Sequence, residues 1–310
     1  MDVDVRRVGW IDKGHPRQGR EFVTTNNSGG DDARRDYPCA LTDAMWQVVA
    51  VHLPVRDPRH GGRPLKYGHR LVIDTILYVL VSGCAWRLAP HDLAPWDAAY
   101  RWFRAWSAAG VWDDIHDALR ERVRQGEGRD PAPSAGVLDS QSAKSASGGE
   151  QIGYDAGKRV RGRKRHLLVD TLGLLLICVV HSASIQDRAG AKLVLSWLDQ
   201  QYPSIGLIWV DGGYANVVDD SLIDWADHEL GVRLEVVKRS DDLKGFQILP
   251  RRWVVERTLG WLTRCRRLCR DYERTIAHAE DFVKVAMIRL MAARLAGQQI
   301  RYHNIRPDTT

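Results

Sequence analysis

The chain has 310 residues, of which 44% are hydrophobic, so it is long and apolar enough to form a core and is not generally disordered. Its formal net charge is +6 and its sequence pI is about 9.1, with clustered basic residues, which favours a polyanion partner and most simply nucleic acid. The polar first residues exclude a signal peptide, and the lack of an apolar run of about 18 residues excludes a membrane span.

The cysteines indicate the compartment. There are five, an odd number without a CxxC pair, and several lie inside apolar runs. This pattern is typical of buried thiols in a reducing cytosol. Cys265 and Cys269 share a predicted helix face, but no His or Cys stands at zinc spacing from them, which favours core packing. We therefore predict a soluble cytoplasmic protein without a membrane partner.

The first part of the chain is predicted to be a flexible arm at residues 1–40, followed by a small all-α domain at 41–125. Thr42 can cap the first helix of this domain, and Gly83 can end the second. The predicted helices cover 42–53, 69–82, 97–109 and 112–124, with a loop at 57–64.

The third of these helices is both basic and aromatic, and two interpretations of it stay open. It could be the reading helix of a helix-turn-helix-like DNA-binding domain. Alternatively, Trp102, Phe103 and Trp106 fill a small core.

A Gly/Pro-rich linker at 126–134 precedes a region at 135–300 in which strands and helices alternate, and a tail follows at 301–310. The order of three strands, helix, strand, helix, strand and long helix predicts an α/β domain with the ribonuclease-H-like fold, a mixed sheet flanked by helices. The predicted strands are 136–138, 165–170, 174–181, 207–210 and 233–237, and the predicted helices are 187–201, 216–230 and 251–274.

Three carboxylates stand at informative places in this order. Asp139 and Asp211 each end a predicted strand, and Glu256 lies early in the long helix, one turn after Arg252. Carboxylates at the ends of neighbouring strands can converge on one metal ion. Singly, each Asp could be a turn or helix cap and the Glu a simple ion-pair partner. Together, in this strand order, they favour a metal-dependent site.

Several long motifs resemble those of bacterial insertion-sequence transposases of the DDE type, specifically the insertion-sequence-five family. They are GCAWRLAP (83–90), LDSQSAK (138–144), GRKRHLLVDTLG (162–173), WVDGGYAN (209–216) and RRWVVERTLGWL…RRL…DYER (251–274). The resemblance implies a catalytic triad of Asp139, Asp211 and Glu256 that binds two Mg²⁺ ions, with Mn²⁺ as a possible substitute. It also implies a helical N-terminal region that binds the element's ends.

The resemblance has one departure. Related transposases carry a Tyr-x2-Arg-x3-Glu-x6-Lys pattern around the glutamate, and here Arg252 and Glu256 match while Leu249 and Thr263 stand at the outer positions. Arg264 or Arg267 is a candidate for the missing cation. Basic residues expected to hold DNA phosphates are Arg252 and the run of Lys158, Arg159, Arg161, Arg163, Lys164 and Arg165.

The resulting prediction is a transposase that binds the terminal inverted repeats of an insertion sequence as a homo-oligomer, cleaves double-stranded DNA and transfers the strand to a target. One alternative is a nuclease of the same fold that cuts without strand transfer. The other is a domesticated DNA-binding protein that has lost catalysis. The intact Asp139, Asp211 and Glu256 argue against this last alternative, and Leu249 and Thr263 argue weakly for it.

Overall fold

The computed structural model describes residues 37–54, 65–214, 222–237 and 250–300, which form two compact units. One contains the described residues within 128–263 and 269–283. The other contains those within 37–127, together with 264–268 and 284–300. The predicted domain boundaries stay predictions, and the predicted arm up to residue 36, the whole 57–64 loop, Leu249 and the 301–310 tail lie outside the described residues.

The helical unit begins with helices α1 (Asp43–Ala50), α2 (His69–Ser82), α3 (Trp96–Ala108) and α4 (Val111–Gly126). Thr42 caps α1 as predicted, because its Oγ1 accepts a hydrogen bond from the Met45 amide at 3.2 Å. Gly83 ends α2 with a φ of 73°, a left-handed conformation that favours glycine.

Two aromatic residues of α3 are core residues. Phe103 and Trp106 are buried, and both pack against Trp112 of α4, whose Nε1 donates to the Phe103 carbonyl at 3.3 Å. The core-packing interpretation is therefore confirmed for Phe103 and Trp106. Their burial leaves these two rings unavailable for reading DNA.

The other unit is built on a mixed sheet. Strand β1 (Ala135–Lys144) pairs antiparallel with β3 (Val160–Asp170) and parallel with β5 (Leu207–Val210), which pairs parallel with β6 (Arg233–Val236). The far edge of β3 is shared by the short β2 (Gly153–Asp155) and by β4 (Leu175–Ser182). This mixed sheet flanked by helices is the predicted ribonuclease-H-like arrangement.

Helices cover both faces of this sheet. Those on one face are α5 (Asp187–Leu195), α6 (Leu198–Gln201) and α7 (Leu222–Leu230), and their apolar residues share a core with Leu138 and Leu168. Because side chains alternate along a strand, Val137 and Asp139 of β1 point to the opposite face. Helix α8 (Pro250–Thr263) packs against β1, β3 and β5.

Two of the sequence predictions that were wrong in extent concern the elements that carry Asp139 and Glu256. Strand β1 continues to Lys144, so Asp139 lies within a strand that keeps pairing with β3 and does not end there. The predicted long helix at 251–274 ends at Thr263 and resumes briefly as α9 (Arg266–Cys269). The Thr263 hydroxyl bonds back to the Gly260 carbonyl at 3.0 Å, a local bond that competes with helix continuation.

The last helix, α10 (Ile276–Leu295), contributes residues to both units. In the helical unit its Arg289 donates to the carbonyls of Pro38 and Cys39 at 2.9 and 3.2 Å. Although α10 is 20 residues long, neither it nor any other helix in the described part of the chain is apolar enough to cross a membrane.

Candidate active site

The parallel register of β1 and β5 places two aspartates side by side. Val137 pairs with Trp209, and Asp139 and Asp211 each lie two residues further on. Equal steps along parallel strands keep residues level and on the same face of the sheet. The two carboxylates therefore lie side by side where β5 ends, on the face covered by α8.

Glu256 reaches the same place from α8, together with Arg252 one turn earlier. Arg252 Nε lies 3.1 Å from Glu256 Oε1, and Arg252 Nη2 lies 3.6 Å from Asp211 Oδ2. One guanidinium thus joins two of the three predicted carboxylates. Gly260, a further turn on, has no atom within 4 Å of where a Cβ would stand, so the helix surface beside Glu256 is open.

Backbone amides orient the two aspartates. The Ser140 amide donates to Asp139 Oδ1 at 2.7 Å, and the Gly213 amide donates to Asp211 Oδ1 at 2.8 Å. Gly213 belongs to a 3-10 turn at Gly212–Tyr214, and a Cβ on it would meet Asp211 Oδ1 at 3.0 Å. A glycine at this position lets the turn close on the carboxylate without crowding it.

The electrostatics at Asp139 show a shortage of positive charge. Burial raises the pKa of the Asp139 carboxyl to about 6, and the charge of Asp211 adds to the effect. The Ser140 amide, Arg252 and Lys158 oppose this rise without cancelling it. A further cation beside Asp139 would therefore be favoured.

The donor set suits a hard divalent cation, since Mg²⁺ and Mn²⁺ prefer carboxylate oxygens. Within residues 37–54, 65–214, 222–237 and 250–300, however, no three His, Cys, Asp or Glu side chains are close enough to hold a metal ion. Arg252 already lies against Asp211 and Glu256. The oxygen ligands and negative charge of Asp139, Asp211 and Glu256 fit a divalent ion. The cation that now lies against Asp211 and Glu256 is the Arg252 guanidinium.

Residues 130–291 match the family model of the transposase DDE domain, which covers more than half of the chain. The chain belongs to the DDE transposase family. Residues 41–116 also match a model of transposases of the IS4/5 family. The chain is similar to the insertion element IS402 uncharacterized 16.2 kDa protein of Burkholderia cepacia, with 31% identity over 117 residues that make up 36% of this chain and 78% of the relative. No solved structure matches.

Membership of this family confirms the predicted resemblance and fold class, and it implies a DNA substrate and a divalent metal ion. In the DDE domain, the three predicted triad residues lie around the end of β5. Asp211 and Glu256 are joined through Arg252, and Asp139 lies within electrostatic reach of Asp211 and Arg252. Their catalytic and metal-binding roles stay predictions.

The basic run of the DDE domain divides into two halves. Lys158, Arg159 and Arg161 are exposed, and the Lys158 Nζ donates to the Ser140 carbonyl at 3.4 Å, beside Asp139. The next three residues lie on β3 between two neighbouring strands and are buried. The prediction that all six contact DNA is therefore wrong for Arg163, Lys164 and Arg165.

The buried half of the run has partners inside the protein. Arg163 donates to Asp271 and to the carbonyls of Glu150, Glu273 and Arg274, at 2.7–3.0 Å. Burial lowers the pKa of Arg165. The positive charge of this half serves the packing of the domain.

The two arginines proposed to replace the missing lysine lie in the helical unit. Arg264 is exposed, whereas Arg267 is buried, with its Nη1 donating to the Cys84 carbonyl at 3.0 Å and its guanidinium over the Trp86 ring. The prediction that Arg267 contacts DNA is wrong, because its cation is already enclosed by that unit. For Arg264 the prediction stays open.

A polar network behind β1 was not assigned from the sequence. Ser140 Oγ donates to Asp187 Oδ1 at 2.9 Å, and the buried Lys164 Nζ lies 2.9 Å from the same oxygen and 3.5 Å from Asp155 Oδ2. Ser142 Oγ donates to Asp155 at 2.6 Å. The signal for this network was the alternation of Ser140 and Ser142 with Asp139, which places both hydroxyls on the opposite face of the strand.

Proposed function

We propose that this chain binds the terminal inverted repeats of an insertion sequence, cleaves the DNA there and transfers the freed strand to target DNA. The observation that carries the proposal is the side-by-side placement of Asp139 on β1 and Asp211 at the end of β5, with Glu256 joined to Asp211 by the Arg252 guanidinium. The family of the DDE domain gives this arrangement its chemical context.

In this proposal Asp139, Asp211 and Glu256 hold two Mg²⁺ ions, for which Mn²⁺ can substitute. Ions bound there would activate the attacking oxygen and stabilise the leaving oxygen of an in-line displacement at phosphorus. The amides of Ser140 and Gly213 keep the two aspartates oriented while the DNA enters.

The reaction would have two displacements at one site. In the first, water forms a P–O bond at the element end and the 3′-oxygen leaves with a proton as a hydroxyl. In the second, that hydroxyl attacks a target phosphodiester, loses its proton and releases the target's own 3′-oxygen. No covalent bond to the protein forms in either step.

The exposed cations of the DDE domain would position the duplex. Lys158, Arg159 and Arg161 lie on and beside the turn between β2 and β3, and Lys158 reaches the backbone next to Asp139. Contacts of this kind bind phosphates without reading sequence. We further propose that a homo-oligomer brings the two element ends together.

The test is divalent-metal-dependent cleavage of DNA that carries the terminal inverted repeats, with the full chain compared with Glu256→Gln. This substitution keeps the side-chain shape and removes the charge. We expect Mg²⁺-dependent nicking at the ends and 3′-end joining to target DNA, both abolished in the variant while DNA binding persists.

Other results would change the assignment. Nicking without joining would show a nuclease of this fold. Binding without nicking in either protein would show a DNA-binding protein without catalysis. Unimpaired cleavage by Glu256→Gln would remove Glu256 from the site.

A further inference from the structure

We propose that Arg252 is an internal counter-ion that occupies the carboxylate site in the metal-free protein and must leave it when a divalent ion binds. This inference rests on the proposed function, because it takes Asp211 and Glu256 to be metal ligands. It adds a coupling between metal binding and DNA binding through one side chain.

The position of the guanidinium is the first support. Arg252 lies 3.1 Å from Glu256 and 3.6 Å from Asp211, through two different nitrogen atoms. It therefore makes contact with carboxylates from two separate elements, α8 and the end of β5. The neighbouring Arg251 makes a different ion pair, with Glu235 at 2.8 Å. Of these two adjacent arginines, Arg252 is therefore the one that contacts Asp211 and Glu256.

The chemistry of arginine is the second support. A guanidinium stays protonated at every working pH, so an incoming cation cannot neutralise Arg252 by removing its proton. A divalent ion on the same carboxylates would lie close to a fixed positive charge, which lowers the affinity for the ion. The ion must therefore displace the guanidinium.

The surroundings give the guanidinium a second place to bind. The Arg252 side chain is 33% exposed, so one side of its guanidinium faces solvent. A DNA phosphate there could take the guanidinium through two N–H donors, as arginine does readily. DNA would then raise the affinity for the metal ion and, by thermodynamic reciprocity, the ion would raise the affinity for DNA.

The experiment measures binding of Mn²⁺ alone to the full chain, from the electron paramagnetic resonance signal of the free ion. Arg252→Gln is compared with wild type and with Arg251→Gln. The second variant removes the adjacent arginine but keeps the contacts of Arg252 with Asp211 and Glu256. We expect Arg252→Gln to lower the Kd for Mn²⁺ roughly three- to tenfold, in the range of a partly exposed ion pair, and Arg251→Gln to leave it unchanged. Thermal melts without metal establish that each variant folds.

A second titration adds a DNA duplex of arbitrary sequence at low salt. In wild type and Arg251→Gln the duplex should tighten Mn²⁺ binding, and in Arg252→Gln this tightening should disappear. If Arg252→Gln binds Mn²⁺ no more tightly than Arg251→Gln, or more weakly, the guanidinium orients the carboxylates and the inference is overturned.

Asp211→Asn separates this inference from the proposed function. If Asp211→Asn weakens Mn²⁺ binding while Arg252→Gln has no effect, the metal site is supported and the counter-ion role of Arg252 is refuted. If neither wild type nor Arg252→Gln binds Mn²⁺, or if Asp211→Asn binds it as wild type does, the metal site and the counter-ion role both fall.

Discussion

At the scale of single residues, burial decides what a charged or titratable side chain does. Within one basic run, Arg161 is exposed and Arg163 is 1% exposed, although they are two residues apart on the same strand. The histidines show the same dependence. His166 and His181, on paired strands, are fully buried with Nδ1 of the first 2.9 Å from Nε2 of the second.

This histidine pair predicts acid sensitivity. Burial, with His181 beside it, lowers the pKa of His166 to about 3, and burial also lowers the pKa of His181. An unfolded histidine binds a proton below about pH 6.5, whereas the folded His166 does not. Stability is therefore lost as the pH falls from about 6.5 towards 3, by about 1.4 kcal/mol per pH unit for His166.

His166→Gln should therefore reduce the loss of unfolding free energy between pH 6 and pH 4 by about 1.4 kcal/mol per pH unit. Urea unfolding at several pH values measures it. His228→Gln, on the exposed surface of α7, is the control and should keep the wild-type slope. An unchanged slope in His166→Gln would show that this histidine does not govern acid sensitivity.

At the scale of elements, the helix that carries Glu256 combines an open surface with a weak helix former. Gly260 lies in the interior of α8, where glycine costs about 1 kcal/mol relative to alanine. A Cβ there would meet nothing within 4 Å. The space is therefore not needed for packing, which is consistent with its use by a substrate.

Gly260→Ala should accordingly raise the unfolding free energy by about 0.5–1 kcal/mol while it lowers DNA cleavage. Denaturant unfolding and the nicking assay measure the two effects. Gly206→Ala is a control for the added methyl group, since its Cβ also meets nothing within 4 Å and it lies outside α8. Full activity in Gly260→Ala would show that DNA does not use this surface.

A second element-scale feature is the attachment of β3 to the segment after α9. Arg163 makes this attachment, as a hub that donates to one carboxylate and three carbonyls in the segments around residues 150 and 271–274. Removal of a buried charge that has such partners leaves them without a hydrogen bond.

Arg163→Met should destabilise the protein by about 3–5 kcal/mol, as measured by denaturant unfolding. Arg161→Met, an exposed arginine on the same strand, is the matched control and should change stability by less than about 0.5 kcal/mol. Equal effects of the two substitutions would contradict the hub role.

At the scale of the whole molecule, the positive charge indicates how DNA is held. The net charge of +6 is modest, and part of the basic clusters is used internally by Arg163, Lys164, Arg165 and Arg267. The exposed cations Lys158, Arg159 and Arg161, near Asp139, remain accessible to phosphates.

Combined replacement by Lys158→Gln, Arg159→Asn and Arg161→Gln should reduce the slope of log K against log salt concentration by up to about 0.9 for each DNA phosphate that the protein no longer neutralises. Asn is chosen at position 159 because the φ there is 54°, which Asn tolerates. DNA binding at a series of salt concentrations measures the slope. Arg233→Gln, an exposed arginine on β6, is the control, and a slope unchanged in the triple variant would exclude a role for these three cations in holding phosphates.

The sequence by itself was sufficient where a local pattern has one physical solution. The bounds of α2 followed from its apolar run and Gly83, and those of β5 from its four apolar residues. The strand and helix order, apart from the unpredicted short β2, followed from the change in period. The three carboxylates were recognisable because each belongs to a long motif. The side-by-side placement of Asp139 and Asp211 followed once β1 and β5 were taken as neighbours.

Only the tertiary structure decided which charged residues are buried and which carboxylates share a cation. The burial of Arg163 depends on Asp271, 108 residues away, and no local pattern reports so distant a partner. The contact from Arg252 to Asp211 likewise joins two elements whose packing sets the distance. A basic run has the same composition whether it faces solvent or neighbouring strands, so its role is determined by the fold that surrounds it.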